Sequence, residues 1–191
     1  MRMLRAILFL CFLASFGCVS AQDASPMKAP SDRIAPVAAV LIDLPTPDPK
    51  ADEVNENAYQ LAQDIIDYAK DYLGCKYRKG GKGPKTFDCS GFVGYVLRHF
   101  GFNMAASSKE QYKQGEKISN DEIKPGDLVF FGTRTTKNVG HVGLVVDVSE
   151  DTKAFKFIHA SNSLGVTIDQ YPDGGYYSKK YIGAKRLLED L

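Results

Sequence analysis

The chain carries the stretch Phe-Asp-Cys-Ser-Gly-Phe at residues 87–92, and an apolar helix pattern begins within it at Cys89. Residues 140–143 read Gly-His-Val-Gly, and residues 157–161 read Phe-Ile-His-Ala-Ser. Each of the latter two stretches holds one of the chain's three histidines. A cysteine at the start of a helix, with two histidines on nearby strands, is the arrangement of a thiol nucleophile. These stretches therefore favour a cysteine hydrolase.

The two histidines lie on predicted strands that are joined by the polar turn at residues 149–153. If that turn centres near Glu150, His141 falls opposite His159 to within a residue or two. Directly opposed residues of antiparallel strands share a face, with Cβ atoms about 4.5–5.5 Å apart. The spacing therefore predicts that the two imidazole rings touch, whereas a register slip of one residue would place them on opposite faces.

The same arrangement suggests a role for each of the three side chains. Unpaired N–H groups and the positive dipole end at a helix N-terminus lower the pKa of a thiol, and a neighbouring imidazolium lowers it further. We therefore expect Cys89 to be the nucleophile, with backbone N–H groups of the first helical turn stabilising an oxyanion. His141 would act as base and then as acid toward the leaving amine, and His159 would orient the His141 ring.

The hydrophobic spacing changes along the chain from a helical period to a strand period. Helical spacing covers residues 53–73, 88–100 and 108–114, and strand-like runs cover residues 127–131, 141–148, 154–160, 166–170 and 182–187. Because helices come first and strands follow, the predicted fold class is α+β, with N-terminal helices packed on an antiparallel sheet of about five strands.

Residues 1–21 have the pattern of a secretory signal peptide, with two arginines, a short apolar run and small residues before a cleavage point. A second interpretation is lipoprotein processing, in which Cys18 becomes a lipidated N-terminus that attaches the protein to a membrane. Residues 22–56 are rich in proline and are predicted to form an extended tether, which leaves residues 57–191 as the catalytic domain. Both interpretations predict an exported protein of the cell envelope.

Outside the signal segment the chain keeps two cysteines, Cys75 and Cys89. In an exported protein such a pair suggests a disulfide, and the loop between the two residues is long enough for one. The competing interpretation is one structural thiol and one catalytic thiol. We favour the second, because Cys89 opens a helix and is matched by histidines elsewhere in the chain.

The formal charge is +1, and it becomes −1 without residues 1–21, which contain two arginines and no acidic residue. A chain with a near-neutral charge balance lacks the strong positive charge that is typical of nucleic-acid-binding proteins. The glycines at 80, 81 and 83 are not followed by the Gly-Lys-Ser/Thr sequence of a phosphate-binding loop, and no strand is predicted before them. We therefore expect no nucleic-acid partner and no cofactor.

Taken together, these stretches resemble the NlpC/P60 peptidases, most of all the single-domain murein endopeptidases of Gram-negative envelopes. The resemblance covers roughly residues 57–190. It rests on Tyr77, Gly80-Gly81, the stretch at 87–92, the Pro-Gly-Asp-Leu-Val-Phe-Phe run at 125–131 and the two histidine stretches. The family implies a papain-like core that cleaves peptidoglycan stem peptides, in the periplasm or at the outer membrane.

The resemblance also implies which residues form the site. By motif match, Cys89, His141 and His159 take the triad positions. Tyr77 takes the position of a family tyrosine whose hydroxyl lies near the oxyanion, although Arg78-Lys79 departs from the usual continuation and puts the substrate-side wall in doubt. The other residues implied to line the site are Asp88 and Ser90. We expect a monomer whose partners are peptidoglycan peptides, with no metal.

Several other interpretations stay open from the sequence. The same triad could act on a non-murein amide or ester, such as a γ-glutamyl amide. Cys89, His141 and His159 could instead form a zinc site with one open position, although no fourth ligand presents itself. A non-catalytic wall-binding protein would have no need of the triad. Tyr77 could serve packing alone, and a bond within one stem peptide is not distinguished from a crosslink between two stems.

Overall fold

The computed structural model describes residues 49–134 and 136–187, which fall within one compact unit at residues 45–191. The predicted signal peptide, Cys18 and most of the predicted tether lie outside the described residues. The elements follow in chain order: helix α1 (Pro49–Lys70), strands β1 (Lys76–Tyr77) and β2 (Thr86–Phe87), helices α2 (Cys89–His99) and α3 (Ser108–Gln111), and strands β3 (Glu116–Ile118), β4 (Leu128–Gly132), β5 (Val139–Val148), β6 (Phe155–Ser161), β7 (Gly165–Tyr171) and β8 (Tyr181–Arg186).

The predicted α+β class is confirmed. The main sheet has six strands in the order β3-β8-β4-β5-β6-β7, and every neighbouring pair is antiparallel. About five strands were predicted; the additional one, β3, is three residues long and too short to show an alternating pattern.

Helix α1 begins at Pro49, so the last residues of the predicted tether are helical. Proline suits a first helical position, because its missing N–H would have no partner there.

Strand β4 shows why the core of this sheet reads as a continuous apolar run in the sequence. Its five residues are all buried. Leu128 and Phe130 belong to the core cluster shared with α1 and α2, whereas Val129 and Phe131 belong to a second cluster on the opposite face. Because successive side chains of a strand point to opposite faces, a run of four apolar residues indicates a sheet that is covered on both sides.

Aromatic packing joins the α1–α2 layer to the residues just before Cys89. Phe87 is fully buried, and its ring lies 5.4 Å from the rings of Tyr72, Phe92 and Tyr95, centroid to centroid. Aromatic pairs at this separation and in edge-to-face orientation attract one another beyond the gain from burial. These contacts therefore fix the position of the residue that lies two places before Cys89.

Among the described residues, no helix combines the length and apolar character that crossing a bilayer requires.

The first turn of α2 is packed directly against the loop that precedes it. The Asp88 side chain caps the helix by accepting a hydrogen bond from the Gly91 N–H at 2.5 Å, and the Asp88 N–H donates to the Gly81 carbonyl at 2.9 Å. A Cβ atom at Gly91 would overlap that same Gly81 carbonyl oxygen. At Gly94, one turn later, the atoms nearest to such a Cβ are those of the Arg98 guanidinium, at the far end of a long side chain.

These two glycines give a matched test of how tightly the helix start is held. We expect Gly91→Ala to lower the free energy of unfolding by about 2 kcal/mol or more, because backbone on both sides must move to relieve the overlap. Gly94→Ala should change it by less than about 1 kcal/mol, since alanine favours the helix and Arg98 can give way. Urea unfolding of both variants measures the difference, and equal losses would contradict the packing described for Gly91.

Candidate active site

Cys89 is the first residue of α2, and its thiol lies against the start of β5. Its Sγ atom is 3.9 Å from the Gly140 carbonyl oxygen, and the backbone N–H groups of Val142 and Ser90 stabilise its thiolate form. Gly140 and Val142 flank His141 in sequence. The structure therefore brings the predicted nucleophile to the backbone on both sides of the predicted base.

The expected lowering of the thiol pKa is wrong in direction. Burial raises the pKa of Cys89, and the negative charge of Asp88 raises it further. The backbone N–H groups at the helix start act in the expected direction, but they only reduce the rise. Burial removes the water that would solvate a thiolate, so the resting side chain is a neutral thiol.

The two histidines meet as the sequence predicts. The His141 Nε2 atom lies 2.9 Å from the His159 Nδ1 atom, with the rings edge to face and their centroids 4.8 Å apart. His159 is completely buried. Burial lowers the pKa of His141 to about 3, with a further contribution from His159. Burial also lowers the pKa of His159, against the opposing effect of Asp169. Both rings are therefore neutral near pH 7.

The register of β5 and β6 differs from the prediction by two residues. The observed pairs are Leu144↔Ile158 and Val145↔Phe157, and this register puts Gly143, not His141, opposite His159. A shift of two keeps both imidazoles on one face, whereas a shift of one would have separated them. A Cβ at Gly143 would crowd Phe157 and the His159 Cβ atom. The glycine therefore leaves the face open for the diagonal contact between the two rings.

Two further residues contact His159, and both were missed from the sequence. The Asp169 carboxylate lies 3.0 Å from the His159 Nε2 atom, and the Tyr177 hydroxyl lies 3.3 Å from the same atom. In the β6–β7 pairing His159 is opposite Thr167, so Asp169 is two residues further along on the same face. The hairpin arithmetic used for His141 and His159, applied to the next hairpin, places Thr167 opposite His159 and leaves Asp169 on the same face, two residues away. Tyr177 follows β7 in a loop and carries no such signal.

Tyr77 lies in β1, close to the thiol. Burial raises the pKa of its hydroxyl, and negative charge on the ionised form of Cys89 and on Asp88 raises it further. These electrostatic contributions agree with the predicted position beside the reacting atoms. The role of Tyr77 at an oxyanion stays a prediction.

The predicted site residues Asp88 and Ser90 form a hydrogen-bond network at the helix start. Asp88 also accepts a bond from the Gly80 N–H at 3.0 Å, and Ser90 Oγ lies 3.0 Å from its carboxylate. Lys82 Nζ lies 3.3 Å from both Asp88 carboxylate oxygens and donates to the Ala106 carbonyl at 2.8 Å. These contacts give Asp88 a positional task, and a substrate contact by Asp88 or Ser90 stays a prediction.

A cleft of about 570 Å³ opens beside His141. Its walls come from the loop after β4, the start of β5, the turn between β6 and β7, strand β7 and the loop after it; they include Arg134, Asn162, Asp169, Tyr176 and Tyr177. The lining mixes hydroxyl, amide, carboxylate and guanidinium groups with exposed Tyr176 and Leu164. Such a surface suits a polar, extended ligand better than a purely apolar one.

Cys75 and Cys89 are both free thiols, as the favoured interpretation required, so they do not form a disulfide. Within the described part of the chain, no group of three or more His, Cys, Asp and Glu side chains is arranged to hold a metal ion. The interpretation of Cys89, His141 and His159 as zinc ligands therefore gains no support from the geometry.

Comparison with known proteins agrees with this geometry. Residues 74–186 match the family model described as the NlpC/P60 family. The chain is similar to murein DD-endopeptidase MepS/murein LD-carboxypeptidase of Escherichia coli K12, with 37% identity over 125 residues that cover 65% of this chain and 62% of that protein. It is also similar to gamma-DL-glutamyl hydrolase of Bacillus subtilis, with 34% identity over 133 residues that cover 66% of this chain and 30% of that protein. The chain thus spans less than two thirds of the length of these relatives.

Solved structures give the same result for the fold. An NlpC/P60 family protein from Bacillus cereus aligns with a TM-score of 0.59 and 30% identity, covering 66% of this chain and 40% of that chain. The NlpC/p60 domain of the peptidoglycan hydrolase SagA aligns with a TM-score of 0.54 and 29% identity, covering 66% of this chain and 98% of that chain. These similarities confirm the predicted fold.

The charge of Asp88 gives a test of the thiol environment. We expect Asp88→Asn to lower the pKa of Cys89, because the negative charge is lost while asparagine can still cap α2. The rate of Cys89 alkylation by iodoacetamide, followed by peptide mass spectrometry against pH, should then rise at a lower pH than in the wild type. Asp147→Asn, an exposed carboxylate paired with Lys156, is the control. An unchanged or higher midpoint for Asp88→Asn would contradict the assignment.

The neutral imidazoles give a pH dependence of stability. The pKa of His141 is lowered to about 3 in the folded chain, so between roughly pH 6.5 and 3 the unfolded chain binds a proton that the folded chain does not. Its contribution is present above about pH 6.5 and is lost as the pH falls, by up to about 1.4 kcal/mol per pH unit. Urea unfolding at several pH values should show a shallower acid loss for His141→Gln than for the wild type. Identical slopes would show that His141 is not buried in its neutral form.

Proposed function

The chain belongs to the NlpC/P60 family, and on that basis we propose that it is a cysteine peptidase that hydrolyses amide bonds in the peptide part of peptidoglycan. Cys89 is the nucleophile, His141 is the general base and acid, and His159 orients His141. The observation that carries the proposal is the position of the Cys89 thiol against the backbone on both sides of His141. The His141 ring is in turn within hydrogen-bond distance of His159.

The proposed reaction starts from a neutral thiol and a neutral imidazole. The Sγ atom of Cys89 attacks the scissile carbonyl carbon as its proton moves to His141, and the carbonyl π electrons move onto oxygen. First-turn N–H groups of α2 stabilise that oxyanion. The C–N bond then breaks, His141 returns its proton to the leaving amine, and a thioester remains on Cys89. Water, deprotonated by His141, hydrolyses the thioester and restores the thiol.

The proposed substrate class follows from the relatives and from the cleft. The similar protein from Escherichia coli carries a name that gives both a murein DD-endopeptidase and a murein LD-carboxypeptidase activity, and the SagA structure is named as a peptidoglycan hydrolase domain. Stem peptides are extended and carry several carboxylates and an amine. A polar cleft with Arg134 on one wall and Asp169 on another offers partners for both kinds of charge.

The location of the protein is part of the same proposal. A murein substrate requires export, and the signal peptide predicted at residues 1–21 supports this part of the proposal. We propose a periplasmic or outer-membrane-associated monomer. The two ways of processing, cleavage near residue 21 or lipidation of Cys18, differ in mass and in membrane association, so mass spectrometry of the mature N-terminus separates them.

A second candidate is a thiol-dependent enzyme that acts on a non-murein amide, in particular a γ-linked glutamyl chain. The observation that favours it is the 34% identity with gamma-DL-glutamyl hydrolase. The chemistry at Cys89 would be the same, because only the groups beside the scissile amide differ. The two candidates therefore predict different products from the same catalytic residues.

Mass spectrometry of products tests both candidates at once. The full chain and its variants are incubated with purified muropeptides and, separately, with a γ-glutamyl polymer. We expect new muropeptide fragments from the wild type, none from Cys89→Ala or His141→Ala, and a loss of about 10- to 100-fold for His159→Ala, since orientation contributes less than the nucleophile or base. Cys75→Ser is the matched control and should keep full activity. Cleavage of the γ-glutamyl polymer alone would favour the second candidate, and muropeptide cleavage by Cys89→Ala would overturn the thiol mechanism.

A further inference from the structure

We propose that Asp169 is a positioning residue of this site, whose carboxylate fixes, through His159, the proton positions on both imidazole rings. The inference rests on the proposed function, because it assigns Asp169 to the same reaction. Asp169 acts on His159 and not on the thiol. The consequence is that the His141 nitrogen that does not contact His159 is left free to accept the thiol proton.

The first step is the contact between Asp169 and His159. The carboxylate oxygen lies 3.0 Å from His159 Nε2, and an ionised carboxylate can only accept hydrogen bonds. The His159 Nε2 atom must therefore carry the proton. His159 is completely buried, whereas the Asp169 side chain is 33% exposed. The carboxylate thus keeps part of its hydration while it satisfies a ring that water cannot reach.

The second step follows from the neutrality of His159. A neutral imidazole carries one proton, so with Nε2 protonated the Nδ1 atom presents a lone pair. That lone pair faces His141 Nε2 at 2.9 Å, which must then be the donor. Because His141 is also neutral at pH 7, its Nδ1 atom has a lone pair. The Asp169 carboxylate, which cannot donate a hydrogen bond, thus sets which nitrogen carries the proton on each of the two rings.

The third step is the position of the free nitrogen. Nδ1 is the ring atom of a histidine that lies nearer the backbone, and the Cys89 thiol lies against the backbone of Gly140 and Val142 on either side of His141. Because His141 Nε2 faces His159, the lone pair on Nδ1 is the one that remains to accept the thiol proton in the proposed reaction. The opposite set of tautomers would place an N–H there, which could not accept the proton of a neutral thiol.

This control matters because the thiol is neutral at rest. Burial and Asp88 raise the pKa of Cys89, so a preformed thiolate does not bypass the need for a base. As Sγ forms its bond to the carbonyl carbon, the thiol proton passes to His141 Nδ1 and the ring becomes cationic. The His159 lone pair accepts from the His141 Nε2–H, and the negative charge of Asp169 lies behind it. The same proton then leaves with the amine.

Asp169 also lines the cleft, so the alternative is a direct contact with the substrate. The two roles differ in the free enzyme. A positioning role sets the tautomers before any substrate binds and acts on kcat, whereas a substrate contact leaves the tautomers alone and acts on KM. Nitrogen-15 NMR of the imidazoles reads tautomers directly, and the chain has only three histidines.

The first experiment is therefore ¹⁵N NMR of the full chain without substrate, at neutral pH. We expect His141 and His159 in the wild type both to be protonated at Nε2. Asp169→Asn, whose amide can also donate, should populate the Nδ1–H forms of both rings. Asp169→Ala, which removes the partner, is the second variant. Asp147→Asn, on the exposed part of β5, is the matched control and should leave both signals unchanged. Wild-type rings protonated at Nδ1, or tautomers unaffected by both Asp169 variants, would overturn the proposal.

The second experiment is kinetic. We expect Asp169→Asn to lower kcat about tenfold or more with KM nearly unchanged. A raised KM with wild-type kcat would overturn the positioning role in favour of a substrate contact. The NMR measurement needs no substrate, so it decides the inference even if the chain does not cleave muropeptides. If both rings are protonated at Nε2 and respond to the Asp169 variants, but muropeptides are not cleaved, the proposed substrate is wrong and the positioning role of Asp169 is retained.

Discussion

The thiol depends on the first turn of α2, and one carboxylate holds that turn in place. Asp88 accepts hydrogen bonds from the Gly91 and Gly80 N–H groups, and its own N–H binds the Gly81 carbonyl. These bonds join the helix start to the loop before it. The same carboxylate raises the pKa of the thiol that it positions. The carboxylate that holds the Cys89 thiol in place therefore also makes that thiol less acidic.

The sheet brings the other half of the site from its opposite face. Cys89 borders the core cluster beneath the helices, whereas His141 and His159 pack with Phe131, Phe157 and Tyr177 on the far side. The two halves meet at the start of β5, where the thiol touches the strand's backbone. A sheet that is covered on both faces can bury the imidazoles deeply, and that burial keeps them neutral.

The sequence predicted the elements well because their periods are strong and their ends carry glycine or proline. It also predicted that the two imidazoles touch, although the register was off by two, because only the parity of the register decides which face a side chain takes. The thiol pKa was predicted in the wrong direction, since burial depends on how layers pack and not on local sequence. Asp169 was missed because its contact is diagonal and belongs to a second hairpin.

The diagonal geometry explains how side chains from three strands can form one series of hydrogen bonds. His141, His159 and Asp169 lie on neighbouring strands, and each contact reaches two residues along from the directly paired position. Direct pairs would place ring against ring at Cβ separations of about 4.5–5.5 Å, which leaves little room for two imidazoles to meet end to end. The diagonal step adds the length that an N–H···N bond between rings needs, and Gly143 supplies the open space beside it. In the proposed reaction, the neutral thiol of Cys89 gives up its proton as the substrate carbonyl takes up the developing charge.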